Sequence, residues 1–159
     1  MVSKAIIELD SLDLEKVAVT KKEILTLNAQ RYEFEQLDRV VHLDLENLIA
    51  VGAKKQKLDE FWTRGHIPER PLMPGVLMVE MAAQLCSVIF HKKLNTDGKI
   101  FFGFGGVDKV KFRGTVEPGS EYFMIAKAIK FRPRIAVFEV QGFVKDKMVF
   151  EGEVTGLVV

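Results

Sequence analysis

The sequence predicts an α+β fold in which one antiparallel β-sheet of about five to six strands wraps a single long, buried central helix. Two observations carry this. The stretch 74–93, PGVLMVEMAAQLCSVIFHKK, is apolar on nearly every side, and a helix apolar all round is a buried helix. From Lys99 onward the chain reads as strands: KIFFGFGGVDKVKF, EYFMIAKAIKFR, IAVFEVQGFVK and MVFEGEVTGLVV. Turn signals separate them at Glu117-Pro118-Gly119, Arg132-Pro133-Arg134 and Lys145-Asp146-Lys147. Strands joined by such short links pair antiparallel. A single sheet wrapped around one helix is the simplest way to bury both.

The preceding elements follow in order. Residues 1–19 lack clear periodicity and are expected to form an N-terminal extension to a single domain spanning 1–159. Thr20-Lys21-Lys22-Glu23 has capping-box spacing, which predicts a short helix over 21–27. RVVHLDL and LIAVGAKKQ predict strands between Phe34 and Lys57, and LDEFWTR a turn or a short helical piece. Ile67 and Arg70 each precede a proline and are pushed out of the helical region, so 66–73 is expected to be an extended, stiff loop. Pro74 suits the first position of the long helix.

Composition excludes several classes. The 159 residues are 28% charged with a formal net charge of +1, so no whole-protein field draws nucleic acid or a membrane surface. The single cysteine, Cys86, sits among apolar neighbours and can form neither an internal disulfide nor a CxxC zinc site. The N-terminal stretch is too broken by acids for a signal peptide, and no apolar run was expected to reach the ~20 residues of a membrane span. A cytoplasmic protein is the expectation.

The chemistry concentrates between His66 and Gln84. Glu80, Gln84, Ser87 and His91 are spaced 4, 3 and 4 residues apart, which puts them on one stripe of the helix. An amphipathic helix with a narrow wet face would show the same stripe. The neighbours favour chemistry. Glu80 lies near the helix start, the amides around Gly75 and Val76 lack intrahelical partners, and a proline-rich lead-in delivers His66 to the same region. A base, an acid and an oxyanion donor suit proton abstraction next to a carbonyl or elimination of a β-hydroxyl.

These residues carry a resemblance. His66-Ile67-Pro68-Glu69-Arg70-Pro71-Leu72-Met73-Pro74-Gly75-Val76-Leu77, followed by Glu80 and Gln84, resembles the signature of the β-hydroxyacyl-acyl-carrier-protein dehydratases of bacterial type II fatty acid synthesis, which are hotdog-fold enzymes. Arg31-Tyr32-x-Phe34 with Leu37-Asp38-Arg39-Val40, and Phe104-Gly105-Gly106-Val107-Asp108 with Lys111-Phe112-Arg113 and Pro118-Gly119, resemble two further stretches of that family. The acid is glutamate, as in the branch that dehydrates without isomerising.

The resemblance implies a lyase that converts (3R)-hydroxyacyl thioesters to trans-2-enoyl thioesters. His66 would be the base and Glu80 the acid. Gly75, Val76, Gln84, Phe104 and Gly106 would meet the substrate, with Gly75 and Gly106 as amide donors. It also implies a homodimer, or a trimer of such dimers, because the histidine and acid of one site come from different subunits. No metal or cofactor is expected, since the substrate arrives on the phosphopantetheine of an acyl carrier protein or of CoA. Lys109, Lys111 and Arg113 alternate along a strand and could dock an acidic carrier, although a solvated sheet face would look the same. The departures, at Ala29 to Gln36 and at Ile67 to Glu69, fall on the substrate end and the dimer surroundings. Two other functions fit the residues: a hotdog acyl thioesterase, in which Glu80 activates water, and a non-catalytic acyl- or carrier-binding module.

Overall fold

A computed structural model describes residues 3–159. Six strands form one antiparallel sheet: β1 (Arg39–Asp44), β2 (Ile49–Lys55), β3 (Phe102–Phe112), β4 (Glu121–Arg132), β5 (Ile135–Val144) and β6 (Lys147–Val158), in the order β1-β2-β4-β5-β6-β3. The sheet curls around one helix, α2 (Gly75–Leu94), and a short helix, α1 (Lys21–Leu27), packs beside it. This is the hotdog arrangement. β4, β5 and β6 follow one another through the tight turns expected, whereas β3 crosses to the far edge next to β6.

Strand side chains alternate between the sheet's two faces, and both faces are covered. Val40, Ala50, Met124, Phe138 and Val154 point inwards and pack around Met81, Leu85, Val88 and Ile89 of α2, all at most 2% exposed. Val41, Val51, Phe123, Ile125 and Phe143 point outwards into a second apolar cluster. Ile6, Ile7, Leu9, Leu12 and Leu14 pack against that cluster, so the N-terminal segment is a strap across the outer face. Gln141 pins it, accepting from Ile6 N–H at 2.8 Å and donating to Lys4 C=O at 2.8 Å.

The helix ends obey their local chemistry. In α1 the Thr20 side chain accepts from Glu23 N–H while the Glu23 carboxylate accepts from Thr20 N–H, the capping box read from the sequence. Glu23 also takes Lys92 of α2 at 2.9 Å, and that cation holds its carboxyl below the usual glutamate range. In α2 Pro74 is the N-cap, with extended ψ of 134°, and not the first helical residue as expected. Asn95 closes the other end at φ 52°, a left-handed stop, after His91, Lys92 and Lys93. The 20 residues of α2 would suffice by length and composition to cross a membrane, contrary to the expectation above. In this fold they are the wrapped core. Cys86 is fully buried there, and desolvation pushes its thiol well up.

Candidate active site

His66 sits in a loop that is folded back on itself, not extended as expected. Arg70 N–H donates to Ile67 C=O at 2.9 Å, closing a turn in which Glu69 takes φ 72°. The two prolines stiffen this turn without straightening it. Trp62, 4% exposed, anchors the loop in the core, and Glu60 adds an ion pair to buried Lys54 at 3.4 Å. Three hydrogen bonds fix His66. Its N–H donates to Trp62 C=O at 2.8 Å, its C=O accepts from Leu72 N–H at 3.0 Å, and its ring Nδ1 lies 2.8 Å from Leu72 C=O. A carbonyl only accepts, so Nδ1 carries the proton and Nε2 presents its lone pair. The Leu72 carbonyl thus fixes the tautomer of the neutral His66 ring.

His66 shares a cavity of about 360 Å³ with Leu72, Gly75, Val76, Phe112 and Thr115. The N–H groups of Gly75 and Val76 have no hydrogen-bond partner among the described residues, and Val76 is exposed. The room that glycine leaves is filled by a ring: a Cβ at Gly75 would come within 2.7 Å of Phe112. The glycine here admits Phe112, and its amide is what remains open.

Glu80 faces a different cavity, also about 360 Å³, with Ala83, Ser87, His91, Phe102 and Phe104 in its walls. The stripe expected from spacing therefore lines one space, with one exception. Gln84 is 3% exposed and turned away behind Glu80. Its amide N–H donates to Glu80 Oε1 at 2.8 Å and to Phe34 C=O at 2.6 Å, and its oxygen accepts from Gln36 N–H at 2.9 Å. Asn28 adds a bond from its side-chain amide to Gln84 C=O at 3.0 Å. Gln84, expected to meet the substrate, instead orients Glu80 and ties it to the loop after α1. Nothing in the sequence pointed to Asn28, Leu72 or Phe112 in these roles.

Gly106 lies on β3 opposite Thr155 and lines neither cavity. Lys109, Lys111 and Arg113 do not form a bare cationic row. The register shifts between Asp108 and Lys111, Lys109 adopts φ 54°, and the even alternation assumed for them is lost. Lys109 pairs with Glu153 at 3.2 Å and Arg113 with Glu151. Burial alone would raise Glu151, but bonds from Ser3 and Arg113 outweigh it and hold the carboxyl low. No cluster of metal-ligating side chains occurs among the described residues.

The fold defines the class, a hotdog protein, with His66 and Glu80 each facing a cavity. The chain resembles one from the dehydratase heterocomplex ApeI:P of Xenorhabdus doucetiae, with a TM-score of 0.72 at 14% identity over 86% of this chain and 90% of that one. Sequence matches are closer. A profile described as a FabA-like domain covers residues 28–153. The 3-hydroxyacyl-acyl-carrier-protein dehydratase FabZ of Streptococcus agalactiae is 38% identical over 134 residues, 84% of this chain and 94% of that protein. The FabZ of Lactococcus lactis is 34% identical over 142 residues, 89% and 96% of the two chains. The chain belongs to the FabA-like family of 3-hydroxyacyl thioester dehydratases.

Proposed function

We propose that this protein is a lyase that dehydrates (3R)-hydroxyacyl thioesters, carried on acyl carrier protein, to trans-2-enoyl thioesters in fatty acid or related acyl-chain synthesis. His66 Nε2 takes the α-proton. The Gly75 N–H, aimed from the start of α2, holds the thioester oxygen as negative charge gathers on it. Glu80 delivers a proton to the departing β-hydroxyl, directly or through a water. The C–O bond breaks, the C=C bond forms, and water leaves. No electrons are exchanged with an outside carrier, so proton transfer and one amide suffice. The names of the relatives favour dehydration over the thioesterase and binding-module alternatives.

One observation carries the arrangement of the site. The His66 cavity lies beside Phe112 and the Glu80 cavity beside Phe104, at opposite ends of β3. β3 is an edge strand whose Phe104, Val107 and Phe112 are exposed. A long exposed edge is a template for pairing. Two copies of β3 paired antiparallel would set each His66 cavity against the partner's Glu80 cavity. We therefore infer a homodimer with two composite sites, working in the cytoplasm.

The test follows absorbance of the conjugated thioester. Crotonyl thioester on carrier protein or CoA is added to wild type and to His66→Ala. Loss of the enoyl signal by hydration in wild type alone is the expected result. An unchanged signal with wild type, at every chain length tried, would end the proposal.

A further inference from the structure

We propose that the Glu80 cavity receives an acyl chain bearing a hydroxyl, or a like hydrogen-bonding oxygen, towards its tail, and that Ser87 and His91 are the residues that select it. This deepens the dehydratase reading and rests on it. A space meant for a plain alkyl chain should be walled by apolar groups, because a buried polar group left without a partner is costly. This cavity has such walls on one side, where Phe101, Phe102 and Phe104 stand. Along α2 it has Glu80, Ala83, Ser87 and His91.

The two polar residues beyond Glu80 are only partly used by the chain itself. His91 is 2% exposed, and its Nδ1 hydrogen-bonds the Thr96 hydroxyl. Its Nε2 has no partner among the described residues, although the side chain lines the cavity. Ser87, half-buried, also lines the cavity, and its Oγ makes no hydrogen bond among the described residues. Burial lowers the imidazole's affinity for a proton, so His91 is a neutral ring, with one donor and one acceptor. Depending on which way the Thr96 bond runs, Nε2 donates or accepts. A ligand hydroxyl does both, and so does Ser87, so a hydroxyl fits either tautomer while an alkyl chain satisfies neither.

Position along the helix sets where the group should lie. Ser87 is seven residues from Glu80 and His91 eleven, which is ~10 Å and ~16 Å at the helical rise. Three chain bonds span ~3.5 Å, so the oxygen belongs about nine to fourteen bonds beyond the reacting carbons. The Thr96 contact adds rigidity, because Thr96 N–H also donates to His91 C=O at 3.2 Å.

The experiment compares two (3R)-hydroxyacyl thioesters of about twelve carbons, one with a terminal hydroxyl and one without. Wild type should favour the hydroxyl-tailed chain about three- to tenfold in kcat/KM, the worth of one net hydrogen bond, mostly through KM. His91→Phe should reverse the order, His91→Gln should keep part of it, and Ser87→Ala should weaken it. A wild-type preference for the unsubstituted chain, with the ratio unmoved in all three variants, overturns the proposal. Should His91→Phe fail to fold, Ser87→Ala and His91→Gln still decide. Crotonyl hydration by wild type tests the reaction separately. If it is absent, the same two tails are compared as pantetheine thioesters by thermal shift, and equal shifts overturn the tail selection on their own.

Discussion

The side-chain amide of Gln84 donates to the Glu80 carboxylate at 2.8 Å from one turn further along α2, and the same nitrogen holds Phe34 C=O. A single buried amide thus ties the acid to the loop that follows α1. Replacing it with leucine should release Glu80 and leave Phe34 C=O and Gln36 N–H without partners. We expect Gln84→Leu to lose about 1–3 kcal/mol of stability and a large part of kcat. A denaturant midpoint and turnover at the wild-type level would show the tie to be dispensable.

In the proposed mechanism His66 and Glu80 carry the two proton transfers. His66→Ala and Glu80→Gln should each lower turnover by about 10²–10⁴-fold with little change in melting temperature, since both side chains face cavities and not the core. Near-full activity in Glu80→Gln would remove it from the acid role.

The proposed composite site would make those variants complementary. Mixed, unfolded and refolded together, His66→Ala and Glu80→Gln should recover about a quarter of wild-type turnover: half of the symmetric dimers reassort as mixed pairs, and each mixed pair holds one intact site. No recovery, with mixed dimers present by native mass spectrometry, would mean that both groups act within one copy.

Gly75 admits the Phe112 ring where a Cβ would come within 2.7 Å. Gly75→Val should therefore displace the ring or tilt the start of α2, and activity should fall by at least about tenfold as the amide shifts. Combining Gly75→Ala with Phe112→Leu should restore more activity than Gly75→Ala alone retains. Equal rates in the single and double variants would show that the ring is not what the glycine accommodates.

His91 makes a prediction about pH. Burial lowers its proton affinity in the folded chain below the ordinary 6.5 of the unfolded one. Protonation then favours unfolding. Its stabilising contribution is whole above pH 6.5 and is lost as pH falls towards and through the folded value. Thermal melts at several pH values between neutral and moderately acid should show a smaller decline for His91→Phe than for wild type. Parallel declines would show that His91 is not part of the transition.

Much of this was legible in the sequence because the signals were local. The Thr20 and Glu23 pair placed α1 to the residue, and the all-round apolar character of 74–93 placed α2 within one residue at each end. The three turns of the second half placed β4 to β6. What escaped depended on contacts between distant parts of the chain. Gln84 shares the helical stripe with Glu80, yet it stands about 40° round the helix from it, and the arrival of Phe34 and Gln36 turns it from cavity to core. The loop at His66 closes a turn instead of running extended, because proline restrains φ without saying whether the residues around it turn. The cationic alternation at Lys109 failed at a bulge, which no strand periodicity reveals. The N-terminal segment looked aperiodic because its apolar residues answer to the outer face of a sheet formed much later in the chain.

The burial of Cys86 bears on how this enzyme can be assayed. The protein's one thiol is sealed inside α2 and held protonated by its surroundings. A disulfide reagent that colours on contact with free thiol should be silent towards the folded chain. Any colour that develops with an acyl-CoA then reports thioester cleavage alone, so hydrolysis and dehydration can be followed side by side in one cuvette, each without a background from the protein.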